Sequence, residues 1–266
     1  MHFNDFEYDG QLLSDLGYVV VSIDNEGGVD RMDSGSKITF NTFPILRGAS
    51  FALTSTQYDE CLTATFDICK DPCVFSDLEI SDYEFRNLMR WLNRKSFCVF
   101  KPLDDSIHNC FYNASFNIQK IYVCEKLYGL ELTMETDSPF AYGSNVIYNI
   151  SLNSGDTYDV YDESDEEGFV YPKLKISVKE DGDLVISNAF DNRDMVIKGC
   201  VAGETIYIDY PMISSSNTSE SRNLPSQFNW HFLRISNSFN RRKNTISTSL
   251  SCDIELSYNP ILKAGI

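Results

Sequence analysis

From Ile246 to Leu256 the chain alternates without a break. Ile246, Thr248, Leu250, Cys252, Ile254 and Leu256 fall on one parity, and Ser247, Ser249, Ser251, Asp253 and Glu255 on the other. A two-residue period does not fit a helix, whose faces recur roughly every 3.6 residues. The run therefore predicts a strand with one face on a core and the other in water. The same period recurs at Leu62, Ala64, Phe66 and Ile68, at Leu130, Leu132 and Met134, and at Leu174, Ile176 and Val178. The chain reads as mainly β. Asp181-Gly182, between the Leu174–Val178 run and Leu184–Ile186, reads as a hairpin turn because glycine accepts the positive φ such turns need. Gly27-Gly28 is a second candidate turn.

One segment departs from this period. Ser81-Asp82-Tyr83-Glu84 is a capping box, and Phe85, Leu88, Met89 and Leu92 follow it at helical spacing. The pattern predicts a helix over Ser81 to Lys95 that covers one face of a sheet, with Trp91 and Leu92 buried and Arg86, Arg90 and Arg94 on its wetter side. The strand pattern stops at Asp137-Ser138-Pro139, which predicts two domains, 1–137 and 138–266. The acid-rich segment Asp156 to Glu167 is read as an exposed loop, and the Ser-, Asn- and Thr-rich segment Ser214 to Arg222 as another.

With 266 residues, 42% of them hydrophobic, the chain is long enough for one large or two ordinary domains, and no apolar run approaches the ~18 residues of a membrane span. No membrane insertion is expected. The 39 acidic and 22 basic residues leave a net charge of −17, a poor basis for holding a phosphate backbone. The start, Met1 to Phe6, is acidic and lacks the pattern of a secretory signal, so maturation in cytoplasm is expected. The eight cysteines are accordingly read as reduced, small apolar fillers, Cys98, Cys124 and Cys252 within strand-like runs.

Motifs for chemistry are scarce. The histidines are His2, His108 and His231, and there is no Gly-x-Ser-x-Gly elbow and no phosphate-binding glycine loop. Cys69 and Cys73 have tolerable zinc spacing without a second ligand pair, and His108-x-Cys110 is too close to be diagnostic. Asp162, Glu163, Asp165, Glu166 and Glu167 lack the ligand order of a calcium loop. Among so many acids, a glycosidase-like carboxylate pair can always be drawn and so says nothing. Asn113, Asn149 and Asn217 begin glycosylation triplets that count for little without a secretory signal. Arg241-Arg242-Lys243 reads as a solvated strand-to-strand turn, or as a contact for an acidic partner. No catalytic residue, metal or cofactor is assigned.

The order of features resembles the distal tail (Dit) proteins of long, non-contractile-tailed bacteriophages. The resemblance runs through Phe6-Glu7-Tyr8-Asp9-Gly10, Gly17 and the strand Tyr18 to Asp24, the helix Glu84 to Trp91-Leu92, the strand Phe97 to Phe100, Tyr112-Asn113-Ala114 and Ser138-Pro139-Phe140-Ala141-Tyr142. It continues through Gly168 to Ile176, Ile186-Ser187-Asn188, Gly203 to Asp209 and Phe228-Asn229-Trp230. Arg241-Arg242-Lys243 departs from the pattern, standing where relatives often place a Gly-rich turn, and the segment Asp156 to Glu167 is particular to this chain.

The resemblance implies an N-terminal β-sandwich-like domain with one packed α-helix and a C-terminal galectin-like β-sandwich. It also implies a non-enzymatic virion protein of the siphophage tail tip, assembled in the host cytoplasm. Its N-terminal domains would form a homo-hexameric ring between the tail tube protein and the tail-associated hub protein. DNA would pass the lumen without specific binding; a good share of the 22 acids of residues 1–137 is expected to line that channel, the alternative being that they are spread over the outer surface for solubility. The C-terminal domains would carry receptor-binding proteins or touch host cell-wall glycan. The competing reading is a carbohydrate-binding module, with Tyr207, Tyr210 and Trp230 as its aromatic platform.

Overall fold

The structure is a computed structural model that describes residues 3–22, 37–45, 50–58, 60–103 and 110–264. The Gly27-Gly28 turn, His2 and His108 lie outside them, as do the last residues of the strand expected over Tyr18 to Asp24. The chain divides into two units, Met1–Gly143 with Leu262–Ile266, and Ser144–Ile261.

In the first unit, β1 (Asp5–Tyr8), β2 (Gln11–Leu12) and β3 (Tyr18–Val21) are followed by β4 (Ile38–Ile45), β5 (Ser50–Tyr58) and β6 (Thr63–Lys70). After α1 (Asp82–Leu92) come β7 (Cys98–Leu103), β8 (Cys110–Val123), β9 (Lys126–Thr136) and β10 (Ala141–Gly143). The main sheet has the order β2-β1-β7-β8-β9-β6-β3. It curls on itself: the Val20 amide donates to the Asn4 carbonyl at 3.2 Å and the Tyr18 amide to the Leu13 carbonyl at 3.3 Å, so β3 meets the chain that flanks β1. The rings of Phe6 on β1 and Phe66 on β6 consequently meet across the interior, 5.8 Å apart. Phe3, Tyr8, Phe100, Tyr112 and Phe116 fill the space around them.

The helix α1 closes this core. The Ser81 hydroxyl accepts from the Glu84 amide while the Glu84 carboxylate accepts from the Ser81 amide at 2.7 Å, so the capping box is complete. Leu88 and Leu92 are buried and Phe85, Met89 and Trp91 half-buried, while Arg86, Arg90 and Arg94 are exposed. The Trp91 ring stacks on Phe6, and its Nε1 donates to the Tyr8 carbonyl at 3.0 Å.

The second unit comprises β11 (Val146–Leu152), β12 (Thr157–Tyr161), β13 (Gly168–Val170), β14 (Lys173–Val178), β15 (Gly182–Asn188), β16 (Arg193–Cys200), β17 (Thr205–Asp209), β18 (Met212–Ser215), the single turn α2 (Leu224–Gln227), β19 (Ile235–Asn237), β20 (Lys243–Thr248) and β21 (Cys252–Tyr258); β22 (Ile261–Leu262), which follows, pairs with β10. A five-stranded sheet, β11-β21-β14-β17-β18, and a four-stranded one, β12-β20-β15-β16, share one core. Ile176, Ile206 and Ile254 enter it from the first sheet and Ile186, Ile197 and Ile246 from the second. This is a β-sandwich. From Leu262 the chain belongs to the first unit, where Leu262 and Ala264 pack on the core and the Tyr112 hydroxyl donates to the Ala264 carbonyl.

Three expectations are corrected here. Asp181-Gly182 does not close a hairpin: β14 pairs with β17 and β21, β15 with β16 and β20, and the turn carries the chain from one sheet to the other. Gly182 does hold a positive φ of 148°. The alternating run from Ile246 to Leu256 is two strands, β20 and β21, on opposite sheets, joined through Ser249 to Ser251. Asp156 to Glu167 is not an exposed loop. It contains β12, paired with β20, and Val160, Asp162 and Ser164 are buried. The Asn237 amide donates to the Asp162 carboxylate and to the carbonyls of Ser164 and Glu166, each at 2.9 Å, which removes the cost of burying that carboxylate and those carbonyls.

Candidate interaction surfaces

Among the described residues of the first unit, the hairpin β4–β5 exposes the most apolar surface and pairs only with itself. Residues directly opposite in an antiparallel pair share a face. The register Ile38↔Tyr58, Phe40↔Thr56, Thr42↔Leu53 and Pro44↔Phe51 therefore puts Ile38, Phe40, Pro44, Phe51, Leu53 and Tyr58 on one side. A bulge follows Asn41, where the Thr54 hydroxyl donates to the Asn41 carbonyl at 2.8 Å. Phe40, Phe43 and Phe51 are each more than 60% exposed, and neither strand contains a charged residue. At the root of the hairpin the Tyr58 ring meets Phe140 edge-on at 4.7 Å, which anchors that end. Nothing in the sequence marked these side chains as uncovered, because alternation reports a strand and not what lies over it.

In the second unit the three aromatic residues of the expected platform do not form one surface: Tyr210 and Trp230 belong to one aromatic cluster and Tyr207 does not. Tyr210 stacks on Tyr171, with centroids 4.1 Å apart and planes 5° from parallel, and Phe232 meets it edge-on. Trp230 joins the same group through Phe228 and Phe232, and its indole Nε1 donates to the Pro225 carbonyl at 3.1 Å. Trp230 holds a positive φ of 58°, a conformation bulky residues rarely adopt, so its place is fixed by these contacts. Tyr207 stands apart from that cluster, exposed on the outer face of the five-stranded sheet.

Arg241, Arg242 and Lys243 lie at the turn between β19 and β20, closed by mutual backbone bonds between Ser238 and Arg241. All three are exposed. Arg241 covers the Phe190 ring at 4.3 Å and donates to the Ala189 carbonyl. The Lys243 ammonium bonds the Asp159 carboxylate at 2.8 Å, which raises the basicity of the lysine and depresses the carboxyl. The Arg242 carbonyl accepts from the Asp162 amide, tying the turn to the buried acidic segment.

The sequence also concealed an ion pair. At the end of the Ser214–Arg222 segment the Arg222 guanidinium donates to Glu204 at 2.7 Å and to the Lys198 carbonyl at 2.6 Å, with both side chains of the pair buried. Among the described residues no group of three or more His, Cys, Asp and Glu side chains converges to hold a metal ion. Cys69 and Cys73 are both free thiols, and among the described residues no helix is long and apolar enough to cross a membrane.

Three comparisons with known proteins concern the chain as a whole. Residues 1–138 match a family model described as the phage tail protein N-terminal domain, and residues 140–258 one described as the phage tail C-terminal domain. A search of curated proteins finds no match. Among solved structures, the Dit protein of SPP1, described as a paradigm of the hub adsorption apparatus in phages infecting Gram-positive bacteria, superimposes with a TM-score of 0.68. The alignment covers 96% of this chain and 98% of that one at 10% identity, a likeness of fold across the whole length.

Proposed function

Because the chain belongs to this family of phage tail proteins, we propose that it is the subunit of a distal tail ring, linking the tail tube to the tail-tip hub and the host-recognition apparatus. The observation that carries the reading is the hairpin β4–β5. An isolated two-stranded hairpin is marginal in water, and one with a continuous apolar face and no charges is an aggregation hazard unless another surface covers it. In a closed ring each subunit offers its hairpin to a neighbour and receives one in turn, so every copy of the apolar face is covered and none is left over. The whole-length likeness to the SPP1 Dit protein supports the same role. It is a structural role with no chemical step, in a virion protein assembled in the host cytoplasm. Six copies, tail tube and hub proteins as axial neighbours, and DNA passing through the lumen without specific contacts complete the proposal.

Light scattering on the purified chain, alone and with the tail tube and hub proteins, tests it. The expected mass is about six times that of the chain in at least one of these mixtures. The double variant Phe40→Ser, Phe51→Ser should keep its circular dichroism and thermal transition while losing assembly. A folded chain that stays monomeric in every mixture, or a variant that assembles as well as the parent, overturns the reading.

A further inference from the structure

Ile261 is where the chain leaves the second unit for the first, and both of its backbone groups are held by the buried acidic segment. Its amide donates to the Ser164 hydroxyl at 3.1 Å, and its carbonyl accepts from the Asp165 amide at 2.7 Å. The Ser164 hydroxyl in turn donates to Asp162, the carboxylate that Asn237 satisfies. The next residue already belongs to the other core. Leu262 and Ala264 pack against buried side chains of the first unit, the Ala264 carbonyl accepts from the Tyr112 hydroxyl at 3.2 Å, and β22 pairs with β10. Strand β10 has three residues, with Tyr142 opposite Phe111 and Gly143 opposite Cys110 on β8. So short a strand makes few ladder bonds, and β22 supplies a large part of what keeps it in place. Immediately before β10 stands Phe140, whose ring meets Tyr58 at the root of the hairpin β4–β5.

We propose that Ile261 to Ala264 form a strap that couples the second unit to the root of this hairpin. With Ile261 held, β22 keeps β10 in its ladder and Phe140 stays on Tyr58. With Ile261 released, β10 loosens and the hairpin loses its anchor. A contiguous chain of discrete contacts of this kind can carry coupling between distant sites. The order of synthesis adds a consequence. The strap is made only after the whole second unit, on the order of ten seconds after β10, so the hairpin root is completed late. That the hairpin is the surface on which copies meet rests on the function proposed above; the coupling itself does not.

Hydrogen exchange of the full chain, followed by mass spectrometry at a dilution where light scattering shows single chains, tests the coupling apart from assembly. Ser164→Ala, in the second unit, should speed exchange at the amides of Ala141 to Gly143 and of Thr56 to Tyr58 about fivefold, the effect of losing one ordinary hydrogen bond. Leu262→Ser, which weakens the strap's hold on the first core, should do the same and provides a second reading should Ser164→Ala unfold the second unit. Ile206→Val, on a strand that pairs with β14 and β18, should leave both segments at the parent's rate. The inference fails if Leu262→Ser leaves the two segments unchanged, if a folded Ser164→Ala chain responds only within the second unit, or if Ile206→Val speeds them equally. Because these rates are read on single chains, a parent that never assembles would overturn the ring without altering them.

Discussion

Leu92 has no exposed surface, whereas Tyr83, nine residues earlier on the same helix, is 74% exposed. Leu92→Ala should therefore cost roughly 2–5 kcal/mol in urea unfolding, and Tyr83→Ala within about 0.5 kcal/mol. Equal losses would mean that the helix does not close the core in solution. This contrast was legible because cap and stripe are both local signals. The charge beneath the helix was legible only in hindsight: Lys70 continues the parity of Phe66 and Ile68, so alternation already placed it on the core face. There it meets Glu84 at 2.9 Å and donates to the Glu79 carbonyl at 2.7 Å. Partial burial works against ionisation of Glu84, but its bonds from Lys70 and Ser81 outweigh that and hold the carboxyl below its usual range. A carboxyl depressed by folding contributes stability above its unfolded pKa of about 4.3 and loses it as pH falls through the folded value. Unfolding free energy should thus decline below about pH 4.3, and Glu84→Gln should flatten that part of the profile. An unchanged profile would remove Glu84 from the acid response.

At the scale of elements, alternation found the strands but not their partners. Period two states which side chains point inward, and inward is the same direction from either sheet of a sandwich. That is why Ile246 to Leu256 read as one strand although it crosses from one sheet to the other. Asp181-Gly182 failed for a related reason: glycine supplies the positive φ of a turn without specifying what the flanking strands pair with. The hairpin between β8 and β9 shows the converse, turning through Cys124 and Glu125 at φ of 48° and 68° with none of the residues that usually announce such a turn. The acidic segment misled because charge suggests water, while the buried Asn237 that satisfies it lies 75 residues away. Asn237→Ala leaves Asp162 and two carbonyls short of a donor, at about 1–3 kcal/mol for each group that water does not reach. It should lower the thermal transition well beyond Asn240→Ala, at the exposed turn nearby. Comparable melting would show that water replaces the asparagine freely.

For the whole molecule, the net charge of −17 and the uncharged hairpin have to be reconciled. Composition announced the charge at once, but a ring is legible only from surfaces, and the Phe40 and Phe51 side chains are identified as a surface only after the core is seen to exclude them. Copies brought together repel one another through their like charges, and the apolar contact must exceed that repulsion. Salt separates the two contributions. Screening shortens the reach of the charges from about 30 Å at 0.01 M ionic strength to about 8 Å at 0.15 M, and leaves apolar burial in place. Assembly of the proposed ring should therefore occur at lower protein concentration as salt is raised, when followed by light scattering. Dissociation by salt would instead mean that opposite charges hold the subunits together and that the hairpin is not the main contact. The same charge bears on the lumen of the proposed ring. A wall rich in carboxylates gives DNA no counterions to release, so the assembled protein should not retard duplex DNA even at low salt, where a basic wall would hold it most tightly. Retardation that disappears with added salt would place basic side chains along the channel and the acids on the outer surface.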